Sequence, residues 1–426
     1  MLALYRALTV AVGPLVGPLL RRRAAGGKED PARLGERLGH AALPRPDGPL
    51  VWLHAASVGE SLSVLRLIDR LLGTRPGLAL LMTSGTVTSA RLLADRLPDR
   101  AVHQFVPIDR PAAVRRFLDH WRPDLAIWVE SELWPNLVRA TQTRGIATAL
   151  IQGRMSARSF AKWRRARGLV APLLKGFDLV LAQTEADAER LRALGAAPTV
   201  TGTLKYSNPP LPVDEAALAE LRQAIGARPV WLAASTHPGE EGTVLRAHHA
   251  VAAESPGLLT IVAPRHPDRG AAIADLATAA GLRVARRGAG EALRDDTQLY
   301  LADTMGELGL FYRVADVVFV GGSLVPHGGQ NLLEPIRLGC PVTHGPSMTN
   351  FAEVVADLAR AGALREVADA ARLIEATRRL FAAPEERAAL AAAQAGVAEA
   401  KAGVLEVVFA ALDPLVPGQS AEHARA

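Results

Sequence analysis

The feature that most constrains the fold of this chain is a rhythm of short apolar runs, each followed by an amphipathic stretch, that occurs twice. In the first half the apolar runs lie at 51–53, 78–82, 126–129, 146–151 and 178–182. The rhythm restarts at 230–233 and continues through 259–263, 282–285, 298–302, 317–320 and 341–343. Strands that alternate with helices form parallel sheets. The pattern therefore predicts an α/β protein with two Rossmann-like lobes.

A proline-rich segment marks the expected boundary between the lobes. The 426 residues exceed the usual size of one hydrophobic core. Asn208-Pro209-Pro210-Leu211-Pro212 separates the two halves, and prolines stiffen a linker because each fixes φ. We predict an amino-terminal lobe at 45–208 and a carboxyl-terminal lobe at 213–416. Since ligands bind beyond the carboxyl ends of parallel strands, we expect the two sheets to face a central cleft.

The amino-terminal segment is the one membrane candidate in the sequence. Residues 1–20 are apolar apart from Arg6, and Arg21-Arg22-Arg23 follows at once. A secretory signal carries its positive charge before the apolar region, so we do not expect export. A helix of this length reaches only about 30 Å, barely enough to span a bilayer, and Pro14 and Pro18 weaken it. We predict a membrane-associated helix at 1–23, as a monotopic or single anchor with its arginines on the cytoplasmic side. An apolar helix packed on the body is the alternative.

Charge and missing motifs narrow the class of function. The net charge of +6 favours an anionic partner, such as a phosphate or an acidic membrane surface. Because the arginines are spread along the chain rather than gathered in a stripe, we expect no nucleic-acid partner. The sequence has no Walker P-loop, no GxGxxG after the first strand, no HExxH and no Asp-x-Asp. It therefore predicts a reaction without metal or cofactor.

Glu60 is the first candidate for chemistry. Ser57 and Glu60 follow the first predicted strand with the S-x-x-E spacing of a capping box, in which the glutamate only satisfies a backbone amide. A glutamate at the carboxyl end of a strand, beside Gly59 that permits close ligand approach, is also where a general base belongs. The spacing by itself favours the cap.

Two further segments of the first half carry candidate ligand-binding residues. Glu130 and Glu132 lie just past another predicted strand and could either cap the next helix or bind sugar hydroxyls. The basic stretch at 154–167 contains Phe160 and Trp163. Such a stretch is usually a solvated helix face, but it would also suit a phosphate-bearing acceptor near a membrane.

Polar residues also follow successive strands of the second half. Residues 235–240 read as a helix start whose free amides would bind an anion. Arg265 could hold a phosphate, and Glu334, three residues after Asn331 on one helix face, could take both hydroxyls of a ribose. Two more such segments are 303–307 and 321–323. Each could be a cap or a tight turn, but their clustering at strand ends predicts a binding site.

These motifs together resemble one enzyme family. HAASVGE, ESELWPN, GRMSARS, TGTLKYS, AASTHPGEE, PRHPDR, DTMGELGLFYRVADVVFVGGSLV and GGQNLLEP are similar, in this order, to motifs of the 3-deoxy-D-manno-octulosonic acid (Kdo) transferases of Gram-negative bacteria. The resemblance runs from about Trp52 to Phe351. It implies the GT-B fold and inverting, metal-independent transfer of Kdo from CMP-Kdo to the lipid A precursor (lipid IVA) in lipopolysaccharide biosynthesis. It also implies that the enzyme acts at the cytoplasmic face of the inner membrane and binds the anionic surface of that membrane.

The resemblance also implies roles for individual residues. Glu60 matches the catalytic base, which reverses the preference that its spacing gave. The residues expected to bind the donor are Lys205, Ser235, Thr236, Arg265, His266, Met305, Gly306, Glu307, Gly322, Ser323, Asn331 and Glu334. Those expected on the acceptor side are Ser57, Gly59, Glu130, Arg154 and Ser156. The chain departs from the family where it has Gln152-Gly153 for Asn-Ala, Tyr206-Ser207 for Phe-Asp and Gln330 for His.

Two other readings of the sequence remain open. One is a GT-B enzyme that takes a UDP-sugar, such as a lipid-disaccharide synthase or a sugar-nucleotide epimerase. It would be inhibited by UDP, whereas the Kdo transferase reading predicts inhibition by CMP. The other is a nucleotide-binding membrane scaffold without catalysis, against which the acidic residue at position 60 argues.

Overall fold

The chain folds into two compact units. The computed structural model describes residues 1–418. One unit is Met1–Asn208 together with the described residues from Ala402 onward, and the other is Pro209–Lys401. The change from one unit to the other therefore falls within the proline-rich segment.

The first unit is built on a seven-stranded parallel sheet of strand order β3-β2-β1-β4-β5-β6-β7. The strands are β1 (Leu50–His54), β2 (Ala79–Ser84), β3 (Ala101–Phe105), β4 (Leu125–Val129), β5 (Ala147–Gly153), β6 (Leu179–Ala182) and β7 (Thr199–Val200). The helices up to Asn208 are α1 (Leu2–Ala11), α2 (Gly13–Ala25), α3 (Leu34–Arg37), α4 (Val58–Thr74), α5 (Val87–Ala94), α6 (Pro111–Trp121), α7 (Pro135–Gln142), α8 (Ala157–Arg165), α9 (Arg167–Lys175) and α10 (Glu185–Ala193).

Both faces of this sheet are buried, because successive side chains of a strand point to opposite faces. On one face the ring of Trp52 packs edge-on against Phe117 and Trp128, at centroid distances of 4.9 and 5.0 Å. On the other face Val51 and Leu53 lie in a second apolar cluster that includes residues of α4. Burial on both sides explains why the central strands read as continuous apolar runs in the sequence.

Two strands of this sheet had no counterpart in the predicted rhythm. They are β3 and β7, and they are the two edge strands. The sequence of β3 is AVHQF with only its last two residues buried, and both residues of β7 are exposed. Edge strands bury less apolar surface, so their apolar pattern is weak.

The amino-terminal segment forms two helices rather than one. α1 and α2 are bent by 63° across Val12, and Pro18 lies inside α2. Among residues 1–418 no single helix is long and apolar enough to cross a membrane. The bent pair α1 and α2, taken together, has the length and the apolar composition of a span, and only these two properties support it as one.

The second unit has a six-stranded parallel sheet of order β10-β11-β9-β8-β12-β13. The strands are β8 (Val230–Thr236), β9 (Leu259–Pro264), β10 (Val284–Arg286), β11 (Leu299–Leu301), β12 (Val317–Val320) and β13 (Val342–His344). The helices are α11 (Glu215–Ile225), α12 (Glu241–Ala252), α13 (Gly270–Ala279), α14 (Leu308–Tyr312), α15 (Leu333–Arg337), α16 (Ala352–Arg360), α17 (Ala370–Ala382) and α18 (Pro384–Ala400). All six strands coincide with apolar runs of the predicted rhythm.

The last helix, α19 (Val404–Leu412), returns to the first unit. The sequence placed residues up to 416 in the carboxyl-terminal lobe, and for this helix that expectation is wrong. Its buried side chains Val404, Val408 and Leu412 join the apolar cluster of the first sheet, and Arg70 pairs with Glu406 at 3.0 Å. The apolar face of the helix thus completes the core of the first unit.

Candidate active site

In the first unit the predicted residues gather at one edge of the sheet. Strands β1, β4 and β5 are consecutive neighbours, and all run parallel. Glu60 follows β1, Glu130 follows β4 and Arg154 follows β5. Because the carboxyl ends of parallel strands meet at one edge, the topology brings these three residues together.

Ser57 and Glu60 make reciprocal capping contacts at the spacing that predicted them, although the backbone amide that Glu60 accepts is that of Ala56 rather than of the N-cap Ser57. The Glu60 amide donates to Ser57 Oγ at 3.3 Å. One carboxylate oxygen of Glu60 accepts the Ala56 amide at 2.8 Å, and the other accepts the Ser57 hydroxyl at 2.8 Å. The cap is therefore confirmed, and it holds the carboxylate at the start of α4.

The surroundings of Glu60 favour its neutral form. The pKa of Glu60 is raised to about 7, mainly by burial and also by the nearby carboxylates of Glu130 and Glu132, against the lowering effect of the hydrogen bonds from Ser57 and Ala56. Burial also raises the pKa of Glu132. A carboxyl group whose pKa lies near neutrality can take up a proton at physiological pH. Ser57 and Gly59 are exposed beside it.

The backbone is strained at this edge. Glu130 has φ of 61° and Gln152 has φ of 54°, in the left-handed region that residues with a side chain rarely adopt. The buried Gln152 side chain accepts the Leu204 amide at 2.8 Å and donates to the Gly202 carbonyl at 3.1 Å. It thereby fixes the loop before Lys205.

The remaining predicted residues of this unit lie around the same edge. Arg154 is half-buried, and Ser156 caps α8 by accepting the Ser159 amide at 3.1 Å. Lys205 lies in the 3-10 helix Leu204–Ser207 and belongs to the first unit, whereas the other predicted donor residues belong to the second. The basic stretch becomes α8 and the start of α9, and no residue of α8 is buried.

In the second unit the carboxyl ends of β8, β9 and β12 carry predicted residues. Ser235 is buried with φ of 56°, a third strained residue at a strand end. Thr236 is fully buried, and its Oγ1 has no hydrogen-bond partner. Arg265 and His266 are exposed, and the Arg265 amide donates to the Thr236 carbonyl at 3.0 Å. The guanidinium of Arg265 is therefore presented at this edge by a fixed backbone.

Asn331 and Glu334 form a pair at the start of α15. The Asn331 amide group donates to the Glu334 carboxylate at 3.0 Å, while Asn331 Oδ1 accepts the Leu333 amide at 3.0 Å. Burial raises the pKa of Glu334, and the Asn331 hydrogen bond and the charges of Arg265 and Arg337 oppose that rise. Arg265 and Glu334 thus lie close enough to act on each other electrostatically.

In the segment after β11 the predicted residues differ in their surroundings. Met305 is 72% exposed, and a side chain added at Gly306 would meet open space. Glu307 instead pairs with Arg287 at 2.7 Å and accepts the Thr304 hydroxyl, and the Arg287 hydrogen bond lowers the Glu307 pKa. The Glu307 carboxylate therefore holds its own loop together, whereas Met305 and Gly306 are free to meet a ligand.

The most important residue that the sequence reasoning missed is Glu240. Its fully buried carboxylate accepts the amides of His237, Gly322, Ser323 and Leu324. The expectation that free amides at residues 235–240 bind an anion is therefore wrong for His237. The amides of Gly322 and Ser323 are likewise occupied, so these residues shape the loop in this structure. The sequence did contain a signal for Glu240: the first strand of each half is followed by Gly-Glu, so Glu240 corresponds to Glu60.

No metal-ligand cluster of three or more His, Cys, Asp or Glu side chains occurs within residues 1–418.

Comparison with known proteins shows which family the chain resembles. A family model described as 3-deoxy-D-manno-octulosonic-acid transferase matches residues 32–208. The 3-deoxy-D-manno-octulosonic acid transferase of Bordetella pertussis is 38% identical over 375 residues, which are 84% of this chain and 86% of the relative. That of Haemophilus influenzae is 35% identical over 353 residues, 80% of this chain and 82% of the relative.

Solved structures show the fold. UDP-GlcNAc 2-epimerase from Neisseria meningitidis matches 86% of this chain and 100% of its own with a TM-score of 0.58 at 15% identity. Sucrose-phosphate synthase from Thermosynechococcus elongatus matches 86% and 99% with a TM-score of 0.53 at 13% identity. These likenesses identify the GT-B fold, and the sequence relatives identify the family. The chain is a glycosyltransferase and belongs to the 3-deoxy-D-manno-octulosonic acid transferase family.

Proposed function

We propose that this chain transfers Kdo from CMP-Kdo to a lipid A precursor, with Glu60 as the general base. The observation that carries the proposal is the Glu60 carboxyl group, held at a strand end with its pKa raised to about 7. Glu60 takes the proton of an acceptor hydroxyl, whose oxygen attacks the anomeric carbon of Kdo opposite CMP. The new glycosidic bond forms as the bond to the CMP phosphate oxygen breaks, so the configuration inverts.

The residues of the second unit support the donor side of this proposal. Arg265 supplies positive charge for the phosphate of the leaving CMP, because its exposed guanidinium can pair with two phosphate oxygens. The Asn331 and Glu334 pair offers hydrogen-bonding groups for the ribose. Met305 and Gly306 border open space and offer a surface for the base. Arg265 thus offsets the charge of the leaving phosphate, and we propose that no metal ion is needed.

The acceptor side rests on the neighbours of Glu60. Glu130, Arg154 and Ser156 follow β4 and β5, the strands next to β1. We propose that Arg154 binds a phosphate of the lipid A precursor, since arginine forms paired hydrogen bonds to phosphate. We propose that Glu130 contacts the acceptor as well, and its charge also helps to keep the Glu60 pKa high.

We also propose that α1 and α2 rest on the anionic cytoplasmic face of the inner membrane. Leu4, Leu8, Leu15 and Leu19 are 64, 56, 69 and 56% exposed, at helical spacing. A neighbouring face of α1 is tied to the body, where the Tyr5 hydroxyl donates to Asp109 at 2.9 Å. An apolar face with basic residues at its end is typical of helices that lie in a membrane interface.

The deciding experiment is incubation of the purified protein in detergent with CMP-Kdo and a tetraacylated lipid A precursor, with the product mass as readout. A mass gain of one or more Kdo units, unchanged by EDTA and inhibited by CMP rather than UDP, supports the proposal. Folded protein that gives no product with CMP-Kdo but binds UDP would point to a UDP-sugar enzyme instead. Loss of product in EDTA would contradict the metal-independent mechanism.

A further inference from the structure

Glu240 lies in the turn between β8 and α12, and its side chain is wholly buried. One carboxylate oxygen accepts the His237 amide at 2.9 Å and the Gly322 amide at 2.7 Å. The other accepts the Ser323 amide at 3.0 Å and the Leu324 amide at 2.9 Å. Four backbone donors on one carboxylate nearly exhaust its capacity as an acceptor.

These four amides come from two loops. His237 follows β8, and residues 322–324 follow β12, the strand next to β8 in the sheet. The contacts join residues 82 to 84 positions apart in the chain. A buried carboxylate is tolerated only where hydrogen bonds replace its hydration, so the two loops and Glu240 depend on one another.

The network closes on itself next to the proposed donor residues. The Gly322 carbonyl accepts the Gly329 amide at 2.8 Å. The following residue, Gln330, donates from Nε2 to His237 Nε2 at 3.0 Å. A ring of hydrogen bonds thus runs from Glu240 through Gly322, Gly329, Gln330 and His237 back to Glu240.

This ring fixes the segment that carries Asn331 and Glu334. Gln330 directly precedes Asn331, so a shift of the Gly329 or Gln330 contact moves the pair at the start of α15. Glu240 also places negative charge among amides that would otherwise attract a phosphate.

From this geometry we infer that Glu240 is a positioning residue for the sugar-nucleotide donor: its carboxylate locks the loops after β8 and β12 so that Asn331, Glu334 and Arg265 are correctly placed. The inference rests on the proposed donor site. Glu240 itself is sealed from the ligand by the amides that it binds.

The test compares Glu240→Gln with Glu241→Gln. Gln has the shape of Glu, but it is uncharged and its NH₂ group faces amides that are themselves donors. Glu241 is the matched control, because it is buried at the start of α12, next to Glu240, but pairs with Arg269 at 2.6 Å, outside the ring. We expect Glu240→Gln to raise the Kd for CMP and the KM for CMP-Kdo about 10- to 100-fold, with the acceptor KM unchanged. Glu241→Gln leaves donor binding within about twofold of the wild type, because the Glu241 carboxylate pairs with Arg269 and lies outside the ring of hydrogen bonds that positions the donor residues.

The outcomes separate this inference from the proposed function. A wild-type protein that does not bind CMP in calorimetry would reject the donor site itself. Wild-type binding of CMP with an unchanged Kd in folded Glu240→Gln would overturn only the role of Glu240. Should that variant not fold, Gln330→Leu opens the ring without touching the buried charge. A rise in the CMP Kd supports the inference, and an unchanged Kd overturns it.

Discussion

The Ser57 hydroxyl donates to the Glu60 carboxylate over 2.8 Å, and the Glu60 amide donates back to Ser57 Oγ over 3.3 Å. This reciprocal pair caps α4 with the same carboxylate that we propose as the base. The cap therefore presets where the base stands before the acceptor arrives. An incoming hydroxyl must compete with Ser57 or Ala56 for one oxygen of Glu60.

Glu60→Gln separates the two functions. Glutamine also serves at the third position of a capping box, so α4 keeps its start while the base is lost. We expect the rate of Kdo transfer to fall about 10²- to 10⁴-fold with little change in CMP binding. The matched control is Glu185→Gln, a first-turn glutamate of α10 in the same unit, which should retain full activity. A normal transfer rate in folded Glu60→Gln would exclude Glu60 as the base.

The raised pKa of Glu60, about 7, predicts a pH profile. Below that pH the carboxyl is protonated and cannot act as a base, so kcat/KM should fall about tenfold per pH unit. The charge of Glu130 raises the Glu60 pKa, and Glu130→Gln should therefore move this acidic limb to lower pH. Profiles of kcat/KM between pH 5 and 9 for both proteins provide the test. A limb at the same pH in the variant would show that the charge of Glu130 does not act on the base.

The same shift predicts a cost in stability. A carboxyl whose pKa rises from its ordinary 4.5 to about 7 on folding favours the protonated folded state. Its destabilising effect is absent below pH 4.5, grows between the two values and is complete above pH 7. Glu60→Gln should therefore raise the free energy of unfolding at pH 8 by on the order of 2 kcal/mol, and hardly at all at pH 4. Denaturant unfolding at both pH values measures this, and an equal change at the two would contradict the assignment.

Glu334→Gln tests the donor side. The Glu334 carboxylate accepts from Asn331 at 3.0 Å, and we expect it to accept the ribose hydroxyls as well. Loss of a charged acceptor should raise the CMP Kd about 10- to 100-fold. Glu375→Gln on α17, an exposed glutamate paired with Arg372, is the control. Equal calorimetric affinities for CMP in the two variants would remove Glu334 from the donor site.

The exposed leucines of α1 and α2 predict membrane binding. Replacement of Leu4, Leu8, Leu15 and Leu19 by serine should reduce the affinity for vesicles containing phosphatidylglycerol by at least about 100-fold, because each inserted leucine contributes about 1 kcal/mol or more. The control replaces Leu276 and Val407, which are 46 and 53% exposed elsewhere on the surface. Undiminished co-sedimentation of the quadruple variant would place the membrane contact elsewhere.

Much of the fold could be read from local patterns. The apolar runs identified the central strands of both sheets, because those strands are buried on both faces and need no polar residues. The edge strands β3 and β7 escaped the pattern, since neither presents a continuous buried run. The first unit gives way to the second at Asn208–Pro209, inside the proline-rich segment.

In the candidate site, too, the sequence predicted the local contacts but not the properties that depend on distant residues. The spacing of Ser57 and Glu60 predicted their capping contacts, which involve residues three positions apart. It could not give the raised pKa of Glu60, because that value depends on burial and on Glu130, a neighbour brought by strand pairing. The left-handed backbone at Ser235 and Glu130 was equally invisible, since such strain is set by the surrounding structure.

The sequence by itself therefore determined the parallel α/β units, the family and the helix cap at Glu60, because strand burial and capping depend on residues close together in the chain. The tertiary structure decided that Glu240 binds amides from two loops more than 80 residues apart and that α19 completes the first unit. These contacts arise from chain segments that meet only after folding, so the local pattern that marks Glu240 does not specify which amides it binds.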